Sequence, residues 1–361
     1  MYASNSTDLV IDVNGYFTQG AGLEFYPVAP CRIVETRQGG GAFGAPRLEA
    51  GQTRSFPFSQ GGCGVPANAQ AYYVNFTVVP PGLLGYLTAY PSGQARPFTS
   101  TLNDLDGRIL ANGAIVAAGA NAGIDVFVTD ATHLVIDIAG YFAPGNGTTS
   151  QLFNTILPCR AATLAMQAAV DQSPQLAGTC GVPGSSSAVA LNMTAAMNQP
   201  VGYFSLWPAG VTFPGVSVMN AIDAIPGMAN AVGNGPIVQA GFGGQVMVRS
   251  ADAPSTVTLD VTGYFAAAAA PPPPTCQLFS DPTPASLTAT RGGGNLVWGQ
   301  GSLRLSAPAV GNWLVYLRAH LNFRPSGSNA WAEATYNEVS TSIKQWQAYW
   351  FHLFFWGART G

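Results

Sequence analysis

Four cysteines stand in two matched pairs, Cys31 with Cys63 and Cys159 with Cys180, and the second of each pair opens the same tetrapeptide, Cys-Gly-Val-Pro. Thiols in such pairs can oxidise to a disulfide or hold a metal. Metal binding wants a Cys-x-x-Cys pair or clustered histidines, and the chain has neither. A disulfide within each pair is therefore the economical reading, with buried free thiols as the alternative. Cys276 is left over, either free or paired between chains.

The other reactive side chains are sparse. Histidine occurs at His133, His320 and His352 only, and His133 is matched by Thr256 in the neighbouring repeat. His320 shares a polar strand face with Arg318 and Arg324 and reads as part of a solvated sheet. No G-x-S-x-G elbow, H-E-x-x-H pair or phosphate-binding loop occurs, so neither enzyme activity nor a cofactor nor a metal is expected. Asp12, Asp137 and Asp260 recur beside an apolar stripe, and Arg32 and Arg160 each follow a cysteine. A partly buried carboxylate needs a partner, so Arg32 with Asp137 and Arg160 with Asp260 are expected to tie a last strand to a first. The alternative is a calcium site drawing on Asn103, Asp104 and Asp106, which Ala221-Ile-Asp-Ala224 does not reproduce.

Asn75 and Asn192 lie in Asn-x-Thr sequons, as do Asn5 and Asn146. The first two fall inside predicted strands, where hydrogen bonding to neighbouring strands is the expected use rather than glycosylation. Tyr86 with Tyr90 and Tyr203 with Trp207 are aromatic pairs four residues apart near a turn. They could stack on a sugar ring; core packing is the expected use.

These residues are carried by a repeat. Asp8–Phe17, His133–Phe142 and Val257–Phe265 spell nearly the same strand, ending in Gly-Tyr-Phe, with the tyrosines 125 and 123 residues apart. That period suits whole domains rather than solenoid units. Pro30-Cys31-Arg32 returns as Pro158-Cys159-Arg160, Asn75-Phe-Thr77 as Asn192-Met-Thr194, and Gly85-Tyr-Leu-Thr-Ala-Tyr-Pro-Ser-Gly93 as Gly202-Tyr-Phe-Ser-Leu-Trp-Pro-Ala-Gly210. Ser100 with Asn103 returns as Ser217 with Asn220, and Ala111-Asn112 is matched with Ala229-Asn230. The offset is a constant 117 from Cys63 to Asn103, while the second copy is 11 residues shorter between its cysteines, where Gln38-Gly-Gly-Gly41 reads as loop.

Periodicity along the repeat is two. Leu134, Ile136 and Ile138 share a face opposite Asp137, and Leu9, Ile11 and Val13 do the same. Pro-Pro-Gly, Pro-Ser-Gly, Asn-Gly and Asp-Gly turns break the runs, and no capped helical stripe is present. The fold class expected is all-β, tandem sandwich or jelly-roll-like modules with a separate small β domain at the C-terminal end. The boundaries expected are a closing strand of an incomplete module at 1–18, module A at 23–144, module B at 151–265, an Ala/Pro linker at 266–274 stiffened by its prolines, and an aromatic-rich head at 275–361. In that head Trp313, Val315, Leu317, Ala319, Leu321 and Phe323 alternate with polar residues. Residues 346–356 are apolar on both faces, so Trp346, Trp350, Phe354 and Trp356 are expected to pack on another chain or module.

Composition bounds the partners. Of 361 residues 47% are hydrophobic and only 9% charged, Lys344 is the sole lysine, and the formal net charge is −3. No basic face for nucleic acid is to be expected. No run reaches the length of a membrane helix, so membrane insertion is not expected, and Met1–Thr7 lacks the basic start and apolar run of a signal peptide. A mature fragment, a trimmed form or release by lysis would each accord with that.

The order Pro-Cys-Arg, Glu-Thr-Arg, Cys-Gly-Val-Pro, Asn-x-Thr, Gly-Tyr-Leu…Tyr-Pro-x-Gly, Ser-x-x-Asn, Ala-Asn and Asp-x-x-Gly-Tyr-Phe resembles a repeat module of secreted and surface proteins from actinobacteria and related high-GC bacteria. The resemblance spans two modules and a stub, about 255 residues. That module has no defined activity and occurs beside varied enzyme or wall-binding domains. The resemblance implies an extracellular or cell-surface scaffold or adhesive part and nothing catalytic. Module B departs from it at Ala161-Ala-Thr-Leu164, so a role special to Arg37 is not shared. The head is loosely reminiscent of trimeric jelly-roll fibre heads.

The function expected is a non-enzymatic structural or adhesive protein of a surface fibre, self-associating or held by neighbouring subunits. A virion fibre that binds a glycan or surface receptor, or accessory domains of a secreted enzyme, are the alternatives. The orphan strand bearing Leu9, Ile11 and Val13 needs a ladder. Donation to another chain is expected over docking on module A, with a cut longer chain as a third option.

Overall fold

The computed structural model describes residues 6, 8–18, 22–146, 151–222, 230–267, 286–291, 296–323 and 332–358, the last three segments by backbone alone. Among the described residues all regular structure longer than a three-residue 3-10 turn is antiparallel strand. Module A comprises β1 (Glu24–Glu35), β2 (Thr53–Pro57), β3 (Ala71–Val79), β4 (Gly85–Pro91), β5 (Leu102–Asp104), β6 (Leu110–Ala117), β7 (Gly123–Val128) and β8 (His133–Ala143). One sheet runs β1-β8-β3-β6, the other β2-β7-β4-β5. Their inner faces enclose a core that includes Val34, Phe56, Tyr72, Phe76, Leu87 and Ile136.

Module B follows with β9 (Leu152–Met166), β10 (Ala188–Met197), β11 (Tyr203–Pro208), β12 (Met219–Asn220), β13 (Asn230–Asn234), β14 (Ile237–Gln239), β15 (Val246–Ser250) and β16 (Ser255–Ala266). One sheet runs β13-β10-β16-β9, with β14 also paired to β10, and the other runs β12-β11-β15. The core includes Met193, Phe204, Leu206, Val248 and Leu259. Where module A has β2, module B has only single bridges, Gln172 to Val248 and Gln175 to Gln245. The shorter second copy thus loses an edge strand, the cheapest element of a sandwich to remove.

The repeated motifs now have reasons. Gly93 and Gly210 end the Tyr-Pro-x-Gly and Trp-Pro-x-Gly turns at φ +80° and +85°, a left-handed geometry that a side chain resists. In Gly-Tyr-Phe the glycine is a matter of room. A Cβ on Gly140 would lie 2.1 Å from the Phe25 ring, and one on Gly263 would lie 2.4 Å from the Phe153 ring. The first strand of each module lays its phenylalanine across the last.

One equivalence differs from the sequence alignment. Asn112 pairs opposite Phe76, and Asn234, not Asn230, pairs opposite Met193, the counterpart of Phe76. Asn112 donates to the Thr101 carbonyl and Asn234 to the Val218 carbonyl, again counterparts. Asn112-Gly-Ala-Ile-Val116 therefore corresponds to Asn234-Gly-Pro-Ile-Val238. Five extra residues upstream in module B, between Asn220 and Asn234, disguise the match.

Residues 8–17, expected to form a strand, carry none. Leu9, Ile11 and Val13 are exposed, because an isolated strand has no ladder for its amides and no core for its side chains. Modules A and B form one compact unit. The C-terminal unit is a separate antiparallel meander of β17 (Ser286–Arg291), β18 (Leu296–Phe323) and β19 (Ala332–Ala358). The strands expected at 313–324 and 346–356 lie almost wholly within β18 and inside β19. Packing of Trp346, Trp350, Phe354 and Trp356 lies outside the described side chains, as do Cys276 and most of the Ala/Pro linker.

Candidate functional site

The expected cysteine and arginine–aspartate partners meet in space. Cys31 is bonded to Cys63 and Cys159 to Cys180, with Cα separations of 5.9 and 5.7 Å. Arg32 Nε donates to Asp137 at 2.9 Å and Arg160 Nε to Asp260 at 2.8 Å, each joined by a second donation from Nη2. The register explains both: Arg32 sits opposite Asp137 on β1 and β8, and Arg160 opposite Asp260 on β9 and β16.

The two pairs have different surroundings. Asp137 keeps 4% of its side-chain exposure and Asp260 keeps 22%. Burial pushes the Asp137 carboxyl above its ordinary value, opposed by Arg32 and by the Ser217 backbone. The Arg160 hydrogen bonds hold Asp260 below its ordinary value. Glu35 and Arg37 enlarge the module A cluster: Arg37 bridges Glu35 at 2.7 Å and Arg32 reaches it at 3.2 Å. Burial raises the Glu35 carboxyl, but Arg37 and Arg32 outweigh it and hold the group below the usual range.

What covers Asp137 is the junction between modules, which the sequence reading missed. On β3, Tyr72, Val74, Phe76 and Val78 face the core, while Tyr73, Asn75 and Thr77 on the opposite face are buried too. The Tyr73 hydroxyl donates to the Gly235 carbonyl at 3.2 Å, and Asn75 Nδ2 donates to the Ser217 carbonyl at 2.8 Å. Asn234 Nδ2 donates to Asn75 Oδ1 at 2.9 Å and to the Val218 carbonyl at 2.6 Å. Its Oδ1 accepts from the Gly113 and Gly235 amides at 2.9 and 2.7 Å. All four hydrogen-bonding capacities of that amide are used, as a buried polar group demands. Beside this network lies an apolar cluster of Phe25, Tyr73, Phe142, Ile237 and Phe265. Phe25 and Gln151 exchange backbone hydrogen bonds of 2.8 and 2.9 Å across the junction. Ala71-Tyr-Tyr-Val-Asn-Phe-Thr-Val-Val79 is apolar but for Asn75 and Thr77, and that near-continuous run was the available signal of a strand buried on both faces.

The remaining candidates take local roles. Tyr90 and Trp207 are buried, so they pack rather than present themselves to a sugar, and Tyr86 and Tyr203 are half-buried. His133 Nδ1 lies 3.1 Å from the Thr36 carbonyl. Asp104 turns its carboxylate onto the Asp106 and Arg108 amides of its own loop. Among the described residues no three His, Cys, Asp or Glu side chains converge as a metal site, and no helix is long and apolar enough to cross a membrane. No family model matches the chain, and no curated protein matches it.

Proposed function

We propose that this chain is a non-enzymatic structural or adhesive protein of an extracellular or cell-surface assembly, with modules A and B as a rigid block. The observation that carries this reading is what the repeats repeat. Their cysteines form disulfides, their Arg and Asp tie first strand to last, their Gly-Tyr-Phe packs strand on strand, and Asn75 and Asn234 join the modules. Repetition spent on folding and on module contact is the signature of a scaffold rather than of a reactive centre. Two disulfides accord with an oxidising compartment, and a surface poor in charge accords with protein or glycan neighbours rather than nucleic acid.

The test uses native material: antibody labelling of intact cells or particles, thiol trapping, and sedimentation. Surface label, oxidised cysteines and a mass well above that of one chain are expected. A free monomer with reduced cysteines inside the cell would overturn the proposal.

A further inference from the structure

The three copies of Gly-Tyr-Phe end in Phe17, Phe142 and Phe265, and their rings form a nearly equilateral triangle. Centroid separations are 6.2 Å for Phe17–Phe142, 6.2 Å for Phe17–Phe265 and 6.4 Å for Phe142–Phe265. The first-strand phenylalanines sit between the corners in a repeated way. Phe25 lies 4.9 Å from Phe142 of its own module and 4.4 Å from Phe265 of the next. Phe153 lies 5.0 Å from its own Phe265 and 4.4 Å from Phe17. The step from module A to module B is thus taken again from module B to residues 8–17. Equal steps between nearly equidistant corners match the spacing of a threefold arrangement, with a whole module in each of two sectors.

Among the described residues of the compact unit that modules A and B form, the third sector holds the orphan segment, and its residues lack what their counterparts have. Leu9, Ile11 and Val13 are 60%, 63% and 82% exposed, whereas Leu134, Ile136 and Ile138, and likewise Val257, Leu259 and Val261, are fully buried. Gly140 and Gly263 each lie under a first-strand phenylalanine, but a Cβ on Gly15 would meet nothing within 4 Å. Asn192, the counterpart of the sealed Asn75, is exposed on the module B flank.

We propose that residues 8–17 are the closing strand of a third β module of the same kind, which fills the remaining sector and completes a closed ring of three. The occupant is a β module that lacks its own closing strand and lays a first-strand phenylalanine over Gly15. A second copy of this chain fits less well, because β8 and β16 already fill that place in its modules A and B. A third-of-a-turn step closes after three units instead of growing a filament. The proposal goes beyond the adhesive reading and does not depend on it.

The test attaches residues 23–132, a module without its closing strand, ahead of residue 8 of the full chain, and follows amide hydrogen exchange. In the graft, residues 8–17 should exchange at least about a hundredfold more slowly than in the unaltered chain, approaching residues 133–142. Gly15→Ala should be silent in the unaltered chain and should undo that protection in the graft. Free exchange at 8–17 in a graft whose added cysteines have paired would overturn the proposal. So would protection of residues 9–13 in the unaltered chain, whether independent of concentration, which means that stretch docks on its own modules, or growing with concentration, which means a second copy. Should the graft not fold, Phe17→Ala in the unaltered chain decides: it should speed exchange around Phe153 and Phe265 several-fold, and no change would show that Phe17 does not complete the triangle.

Discussion

Modules A and B carry the same Arg–Asp pair between the same two strands, and its chemistry differs because of what lies on the outer face of the sheet. Over module A that face is covered by Ser217, Gly235 and Asn234 of module B. Over module B the corresponding face is open: Asn192 is exposed and makes only a 3.5 Å contact to Thr194 within its own strand. Tyr73 reaches across the junction, while its counterpart is Ala190. Like residues in a like ladder therefore act as a buried joint in one module and a solvated face in the other. Burial sets the role more than residue type does.

The largest effect that could break the comparison is loss of a disulfide. Replacing either cysteine pair by serine should cost about 3–4 kcal/mol by loop entropy, with little difference between the modules; the sequence separations are 32 and 21 residues. Because module B covers module A, removal of Cys31–Cys63 should lower the urea midpoint of both modules in one transition. Two separate transitions would show that the junction does not couple them.

Next come the asparagines. Asn234→Ala strips four hydrogen bonds at the junction and should cost about 2–3 kcal/mol, against about 1 kcal/mol for Asn112→Ala. Asn75→Ala should likewise exceed Asn192→Ala, whose effect should stay within about 0.5 kcal/mol. Equal costs by chemical denaturation would refute the different roles.

The smallest effect is the pH dependence, and the two aspartates oppose each other. Asp260 is held low by Arg160, so its stabilisation is present above the ordinary carboxylate range and is lost as pH falls through its folded value. Asp137 is pushed up by burial, so the fold takes up its proton more readily than the unfolded chain does. Its contribution declines as pH rises from the ordinary range through its folded value. Asp260→Asn should flatten the acid limb of the stability curve and Asp137→Asn should steepen it, measured as melting temperature between about pH 3 and pH 6.

Much of the scaffold was legible. Period-two patterning marked β8 and β16, turn dipeptides marked the strand ends, and the repeat paired the cysteines, because each of these signals is local or is copied twice in the chain. The Asn234 match was hidden by an insertion, and only the ladder partner Met193 revealed it. The junction was half visible in the apolar run of β3, yet a run buried on both faces does not say what lies on the second face.

By itself, then, the sequence determined the all-β class, the modules and the residues that repeat, since side-chain alternation and turn chemistry act over a few neighbours. The tertiary structure added that β3 of module A is sealed while β10 of module B stays open, and that the rings of Phe17, Phe142 and Phe265 meet at nearly equal separations. Those outcomes depend on residues more than a hundred positions apart sharing one dry contact, and burial, unlike periodicity, is not a property of any segment alone.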